Sequence, residues 1–207
     1  MFGGGGNDTL DGAGGTADLL DLSDATAGFT INFSQGVGQS ITAAGIGTDT
    51  YSSFEGVIGS GFADTINGST GNDFLRGGGG NDAINGGDGN DTITGGLGAD
   101  TLTGDDGADD FVFDGLNGVD TITDFDGTED RLLLEDFIFS AIGGALDAGE
   151  FVSNSGGVAG DANDFLLYDA DTGHLYYDAD GNGAGARILI GTLTGAPTID
   201  PTDILII

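Results

Sequence analysis

Large apolar side chains recur at every ninth position along the middle of this chain: Ile66, Leu75, Ile84, Ile93, Leu102 and Phe111. Most are flanked by small or polar residues, as in Thr92-Ile93-Thr94 and Thr101-Leu102-Thr103. A polar-apolar-polar triplet is the pattern of a short strand with one buried face. Between successive triplets lie six residues rich in glycine, and the sixth is always aspartate: Asp64, Asp73, Asp82, Asp91, Asp100 and Asp109. Residues 59–112 are therefore six contiguous nonapeptides. A nine-residue period is too short for a helical repeat and fits a solenoid of short strands and tight turns.

The rhythm is looser on both sides. Residues 3–11 form one more complete nonapeptide, with Asp8 and Leu10 in the aspartate and apolar places. Residues 12–20 resemble another with one residue inserted, using Asp18 and Leu20. Residues 22–58 break the repeat. Phe29, Ile31 and Phe33 alternate with Thr30 and Asn32 as in a strand. Gly36, Gly38, Gly45 and Gly47 mark turns, and Tyr51, Phe54, Val57 and Ile58 supply apolar residues. This stretch is expected to form a wider interrupting β coil. After Val112, residues 119–139 carry two apolar-alternating segments around a turn at 126–129. A short helical turn is expected at 146–151, a hairpin from 165–168 to 174–177, and further strands at 187–193 and 204–207. A solenoid needs a cover for its last coil and strand edge, and this C-terminal part is the candidate cap.

The turns suggest the chemistry. Glycine admits φ > 0 and lets several carbonyls approach one point, and each aspartate adds a hard, charged oxygen. Oxygen donors without His or Cys suit Ca²⁺. One large buried side chain per nine residues is a thin core, and carboxylates stacked turn on turn repel. Bound cations remove that repulsion, so folding and metal binding are expected to be coupled.

Composition sharpens this picture. In 207 residues there are 35 Asp and Glu against 3 Lys and Arg, a net charge of −32. That opposes nucleic acid and anionic membrane surfaces as partners and favours divalent cations. There is no cysteine, hence no disulfide framework and no thiol catalysis. No stretch reaches transmembrane length. The chain shows no N-terminal signal pattern and enters a repeat at once, which is expected of a fragment of a longer protein or a very short gene product.

The segment DADGNGA at 178–184 has the first ligand positions of an EF-hand loop, but Leu189 stands where a bidentate Glu is required, so a turn between strands is expected. His174, the single histidine, cannot build a zinc site or a triad alone and is assigned a surface or strand role. Arg131 and Arg187 are expected to pair with nearby carboxylates, and Arg76 to point outward. Asp88, Asp105, Asp106 and Asp110 read as solvated turn residues. No HExxH, GxSxG or P-loop motif occurs, and aspartates at fixed spacing describe an array of like sites where catalysis needs a unique one. An enzymatic role within these residues is not expected.

The tandem nonapeptides resemble the RTX family, secreted calcium-binding proteins with the repeat GGxGxDxUx. Units 77–85, 86–94 and 95–103 match in full, while Ser60, Ser69 and Asp105 replace glycine at position 2 and Phe62 replaces it at position 4. The resemblance implies an all-β fold, a right-handed parallel β-roll in which two nonapeptides make one coil, with a C-terminal antiparallel β cap. It implies a short array at 1–21, the interrupting coil at 22–58, the main roll at 59–118, and a cap with an export signal at 119–207. It implies several Ca²⁺ ions, each between a turn and the turn two units later. The earlier turn gives carbonyls from positions 2 and 4, the later from positions 1 and 3, and each gives its aspartate. One ion then has Asp64, Asp82, Ser60, Phe62, Gly77 and Gly79. The next has Asp73, Asp91, Ser69, Gly71, Gly86 and the carbonyl of Asp88. A third has Asp82, Asp100, Gly78, Gly80, Gly95 and Leu97. A fourth has Asp91, Asp109, Gly87, Gly89, Gly104 and the carbonyl of Asp106. Asp8 is a further ligand, and Phe62 is expected to strain its turn. The family resemblance also implies type I export from a Gram-negative bacterium, guided by an uncleaved C-terminal signal similar to Asp203–Ile207, with folding once calcium is met outside. The alternatives are the tail of an extracellular protease, lipase or alginate epimerase whose catalytic domain lies upstream, or a spacer in a surface adhesin. No membrane insertion is expected, and the oligomeric state is left open.

Overall fold

A computed structural model describes residues 1–15, 17–33, 39–182 and 185–207. Gly36 and Gly38, and the end of the 178–184 segment, lie outside the described residues. Among the described residues the regular structure is strands and short turns, with a 3-10 helix at Pro201–Asp203. The first part contributes β1 (Thr9–Asp11), β2 (Leu19–Asp21), β3 (Thr30–Asn32), β4 (Gln39–Ala43), β5 (Gly47–Ser52) and β6 (Gly56–Ile58). The repeats contribute β7 (Thr65–Asn67), β8 (Phe74–Gly79), β9 (Ala83–Asn85), β10 (Thr92–Leu97), β11 (Thr101–Thr103) and β12 (Asp110–Phe113). Then follow β13 (Asp120–Ile122), β14 (Arg131–Leu134), β15 (Phe151–Asn154), β16 (Leu166–Asp169), β17 (His174–Tyr177), β18 (Ile188–Leu193) and β19 (Ile204–Ile206).

Successive nonapeptides feed two sheets in turn. Thr65 pairs with Ala83 and Ala83 with Thr101 in one sheet, and Phe74 with Thr92 and Thr92 with Asp110 in the other, all parallel. Two repeats thus make one coil, because a period of nine is half of the 18-residue register. The result is a parallel β-roll. Its core is a single file from each sheet: Ile31, Ile66, Ile84, Leu102, Ile122 and Leu193 face Leu20, Val57, Leu75, Ile93, Phe111, Leu132 and Ile204, all buried.

The stacking extends beyond the contiguous repeats at both ends. β3 and β6 pair in parallel with β7 and β8, so residues 22–58 supply a coil of the same roll. Between them, β4 and β5 leave the roll and form a separate three-stranded sheet, in the order β1-β5-β4. At the other end β13 and β14 pair with β11 and β12, and β18 and β19 pair in parallel with β13 and β14. Residues 188–207 are therefore a last coil, and the cap is the loop of chain between β14 and β18.

The hairpin predicted from alternation forms as β16 and β17, and β17 is also antiparallel to β18, while β15 joins β16 in parallel. Residues 148–150 form a single turn in which the Glu150 N–H donates to the Asp147 carbonyl at 2.8 Å. The cap has its own aromatic centre: Phe139 meets Tyr177 edge-on at 5.1 Å, and the buried Tyr168 donates its hydroxyl to the Pro197 carbonyl at 2.8 Å.

Candidate metal centres in the stacked turns

The strands bring the position-6 aspartates into files at the edges of the roll. Asp64, Asp82, Asp100 and Asp120 lie along one edge, and Asp73, Asp91, Asp109 and Asp130 along the other. Each carboxylate reaches back to the turn before it. Asp82 Oδ1 accepts from the Asp64 backbone N–H at 2.7 Å, Asp91 from Asp73 at 2.8 Å, Asp100 from Asp82 at 2.7 Å and Asp109 from Asp91 at 2.8 Å. All four are buried, as are Asp64 and Asp73.

The second carboxylate oxygen divides the turns into two kinds. Oδ2 of Asp82, Asp91, Asp100 and Asp109 is buried with no hydrogen-bond partner, and so is Oδ2 of Asp8 and Asp49. In the turns carrying these six, positions 2 and 4 are both left-handed. They are Gly4 and Gly6, Gly45 and Gly47, Gly78 and Gly80, Gly87 and Gly89, Gly96 and Gly98, and Asp105 and Gly107. Asp105 can take this place because aspartate tolerates the left-handed region better than most residues. In the four turns of the main roll position 1 is also bare, since a Cβ on Gly77, Gly86, Gly95 or Gly104 would lie 2.2–2.3 Å from Oδ2 of its own aspartate.

Turns 59–64 and 68–73 differ. None of Ser60, Phe62, Ser69 and Gly71 is left-handed. Here the position-2 amide turns inward: Ser60 N–H donates to Asp64 Oδ2 at 2.7 Å and Ser69 N–H to Asp73 Oδ2 at 2.5 Å. The Ser60 hydroxyl adds bonds to both oxygens of Asp64. The strain expected at Phe62 does not arise, because its turn avoids the conformation glycine would take.

A buried carboxylate oxygen without a donor is costly, and a cation can meet that cost. Burial first, then the charges of Asp100 and Asp64, pushes Asp82 up to about 7. Burial and the neighbours Asp73 and Asp109 do the same to Asp91, also to about 7. Burial with Asp130, Asp124 and Asp110 takes Asp109 to about 6. Asp100 is raised too, mainly by burial. Among the described residues no three acidic or histidine side chains converge on one point. An ion here needs backbone carbonyls beside the carboxylates, and an all-oxygen set of that kind fits Ca²⁺. Of the carbonyls the sequence pointed to, Ser60, Leu97 and Asp106 each already accept one amide, from Gly79, Gly80 and Gly89. A carbonyl oxygen has a second lone pair for a cation. Asp88 is exposed at its turn.

Two aspartates of such turns, Asp49 in the three-stranded sheet and Asp120 in the main roll, were not legible as repeats. Asp49 belongs to the nonapeptide Ala44–Ser52, in which Ala44 replaces the first glycine and the apolar place holds a tyrosine, Tyr51. Asp120 belongs to Gly115–Thr123, displaced by the two extra residues Phe113 and Asp114. Its Oδ1 accepts from the Asp100 N–H at 3.1 Å, and burial first, then Asp100 and Asp114, raises it to about 7. The signal was present in both: aspartate two places before a large apolar residue, with glycine two places before the aspartate.

The remaining charged residues are structural. Arg76 pairs with Asp114 at 2.6 Å and Arg131 with Asp110 at 2.8 Å. Arg187 departs from expectation: it donates to the carbonyls of Gly156 and Gly157 and lies 4.0 Å over the Tyr176 ring. His174 sits in β17 with Nδ1 3.2 Å from the Tyr176 hydroxyl. At 178–182 the carboxylates face amides of their own loop, Asp178 toward Asp180 and Asp180 toward Gly185, as in a turn.

Of the comparisons with known proteins, the family model falls on the repeats themselves. The model of the RTX calcium-binding nonapeptide repeat matches four copies, over residues 1–17, 58–93 and 85–122. No curated protein matches the chain. Among solved structures, the AlgE6R3 subunit of the Azotobacter vinelandii mannuronan C5-epimerase aligns at 27% identity and a TM-score of 0.48, over 72% of this chain and 80% of that one. The AlgE6R2 subunit of the same enzyme aligns at 26% identity and a TM-score of 0.46, over 72% and 91%. Residues 1–17 and 58–122 thus carry calcium-binding nonapeptide repeats of the RTX type, and those of the second stretch stack as a parallel β-roll.

Proposed function

We propose that this chain is a calcium-dependent folding module of an exported protein. The observation that carries the reading is the set of buried, unpartnered Oδ2 atoms on Asp82, Asp91, Asp100 and Asp109. Each ion would be held between turns two units apart. The carboxylates of Asp82, Asp91, Asp100 and Asp109 join carbonyls at positions 2 and 4 of the earlier turn and 1 and 3 of the later one, with Asp64 and Asp73 at the start of each file. The cation supplies neutralisation and cross-linking. The residues supply the fixed oxygen array and exclude water from one side of it. With carboxylates at this density, the metal-free turns repel, and the chain stays loose where calcium is scarce. Sites of the affinity common in extracellular modules, about 10⁻⁴ to 10⁻³ M, fill only outside the cell.

Circular dichroism in chelator and in millimolar Ca²⁺ tests this. Coil is expected in chelator and β structure with Ca²⁺, with Mg²⁺ a poor substitute because it demands tight octahedral geometry. A full β spectrum in excess chelator would refute the reading.

Support for type I export is the acidic-then-apolar end at Asp203–Ile207. In the folded chain this end is β19, with Ile204 buried against the roll and Leu205 exposed. A signal there would be read before the chain folds. Leu205→Asp is expected to lower export through a type I system while calcium-induced folding persists. Unchanged export would remove the tail from the proposal.

A further inference from the structure

The structure assigns a calcium site to a place away from the contiguous repeats: between turn 3–8 and turn 44–49, with Asp8 and Asp49 as its carboxylates. This rests on the calcium reading above and extends it to a part of the chain in which only one of the two turns lies within a matched repeat. Thirty-five residues separate the two turns, yet β1 and β5 pair in parallel with Thr9 opposite Thr50 and Leu10 opposite Tyr51. That register stacks the two turns as neighbouring coils of the main roll are stacked.

The details coincide one by one. Asp8 N–H donates to Asp49 Oδ1 at 2.9 Å, as Asp64 does to Asp82 at 2.7 Å. Thr50 N–H donates to the Asp8 carbonyl at 2.8 Å, as Ala83 does to Asp64 at 2.9 Å. Thr48 N–H is held by the Asn7 side chain at 3.1 Å, as Ala99 is by Asn81. A Cβ on Gly47 would lie 1.8 Å from the Gly6 carbonyl, as one on Gly98 would lie 1.6 Å from that of Gly80. Positions 2 and 4 are left-handed in both turns.

The feature that points to a ligand is separate from this likeness. Asp49 is 1% exposed, and its Oδ2 has no partner, nor has the buried Oδ2 of Asp8. Both oxygens face Gly3, whose Cβ, if present, would stand 2.8 Å from one and 3.4 Å from the other. Two carboxylate oxygens, one from each aspartate, are thus held together beside Gly3 without a donor, which demands a cation. Carbonyls of the two turns complete an all-oxygen set suited to Ca²⁺. The three-stranded sheet has Leu10, Ile41, Ala43 and Tyr51 as its buried apolar residues. An ion would bind its two parallel strands together at their turns.

The test uses Tb³⁺ in place of Ca²⁺ on the full chain. Tyr51 lies two residues from Asp49, and the other tyrosines, Tyr168, Tyr176 and Tyr177, are all in the cap. Tyrosine-sensitised Tb³⁺ emission should fall in Tyr51→Phe and in Asp49→Asn and persist in Asp82→Asn. Equilibrium dialysis should show Asp49→Asn binding one Ca²⁺ fewer than the wild type, and Tyr51→Phe the same number. Wild-type calcium uptake with an unchanged ion count in Asp49→Asn and undiminished emission in Tyr51→Phe would overturn this site while leaving the main-roll sites standing. Failure of the wild type to bind any calcium would overturn the broader reading. If Asp49→Asn does not fold, emission lost in Tyr51→Phe, which keeps every proposed ligand, supports the site, and emission retained there refutes it.

Discussion

Turns 59–64 and 77–82 carry the same aspartate at the same place and stack directly on each other, yet they settle the carboxylate in opposite ways. In the first, Ser60 turns its amide and hydroxyl onto Asp64. In the second, Gly78 at φ +104° directs the backbone elsewhere and leaves Asp82 Oδ2 buried with no donor. Turn 68–73 repeats the first solution and turns 86–91, 95–100 and 104–109 the second. The aspartate marks the repeat, but the residue at position 2 decides whether the turn closes on itself or waits for a cation. Only a residue that accepts φ > 0 leaves the oxygen free. Asp130 shows the same logic at the far end of its file, where the Asp126 amide occupies its Oδ2 at 2.8 Å.

This difference predicts unequal responses to removing aspartates. Asp82→Ala takes away an oxygen that only a cation can satisfy, and it also breaks the bond to the Asp64 amide. It should raise the calcium concentration at the folding midpoint about tenfold to a hundredfold, the range that loss of even an outer partner causes in metal sites. Asp64→Ala removes a carboxylate already satisfied by Ser60 and by the Phe29 amide, and should cost roughly one or two hydrogen bonds to a charged group. Asp88→Ala should change the midpoint least, because only its backbone is used. Calcium titrations followed by circular dichroism rank the three. Equal losses in Asp82→Ala and Asp88→Ala would mean the register of ligands is wrong.

The next effect is of pH. Asp82, Asp91 and Asp120 at about 7, and Asp109 at about 6, hold protons in the metal-free fold that the unfolded chain has lost above about 4. A folded state that binds more protons gains stability as pH falls. The metal-free roll should therefore gain structure between about pH 7 and pH 4 and lose it above 7. Protons and calcium compete for the same oxygens, so the calcium midpoint should rise over the same interval as pH falls. Asp64 and Asp73 in the self-closed turns are also raised by burial, but the amides of Ser60 and Ser69 oppose that shift. Titrations at pH 5 and pH 8 check both signs, and a calcium midpoint that does not move would separate these carboxylates from the ions.

Much of this was legible in the sequence because period and chemistry coincide. Nine is half of a coil, so apolar residues nine apart fill both sheets, and aspartates nine apart fill both edges. What the pattern concealed was interruption. Gly115–Thr123 is out of phase by two residues, and Ala44–Ser52 is separated by a long segment from its stacking partner at 3–11. Stacking depends on register in space, which a sequence period reveals only while the repeats are contiguous. The cap was hidden differently. Its strands alternate as expected, but that the chain returns afterwards to complete a coil with β18 and β19 is a matter of long-range pairing. The two kinds of turn were visible only as substitutions at position 2, whose meaning depends on where the amide points.

The smallest expected effect belongs to the Ser60 hydroxyl. Its oxygen accepts the Phe62 amide at 3.1 Å and lies 3.0 and 3.1 Å from the two oxygens of Asp64. Ser60→Ala removes these bonds but keeps the backbone N–H that closes the turn. The position is not left-handed, so alanine fits without strain. The cost should be about 0.5–1.5 kcal/mol, the worth of an ordinary hydrogen bond. In the calcium-loaded chain that lowers the thermal midpoint by about 2–4 °C for each kcal/mol. The number of bound ions should not change, because on this geometry the hydroxyl caps a carboxylate and touches no cation. Scanning calorimetry and equilibrium dialysis on the same variant separate the two roles. A lower midpoint at full ion count sustains the division between self-closed and cation-closed turns. Loss of an ion would make the Ser60 hydroxyl a ligand, and turn 59–64 would then belong with the others.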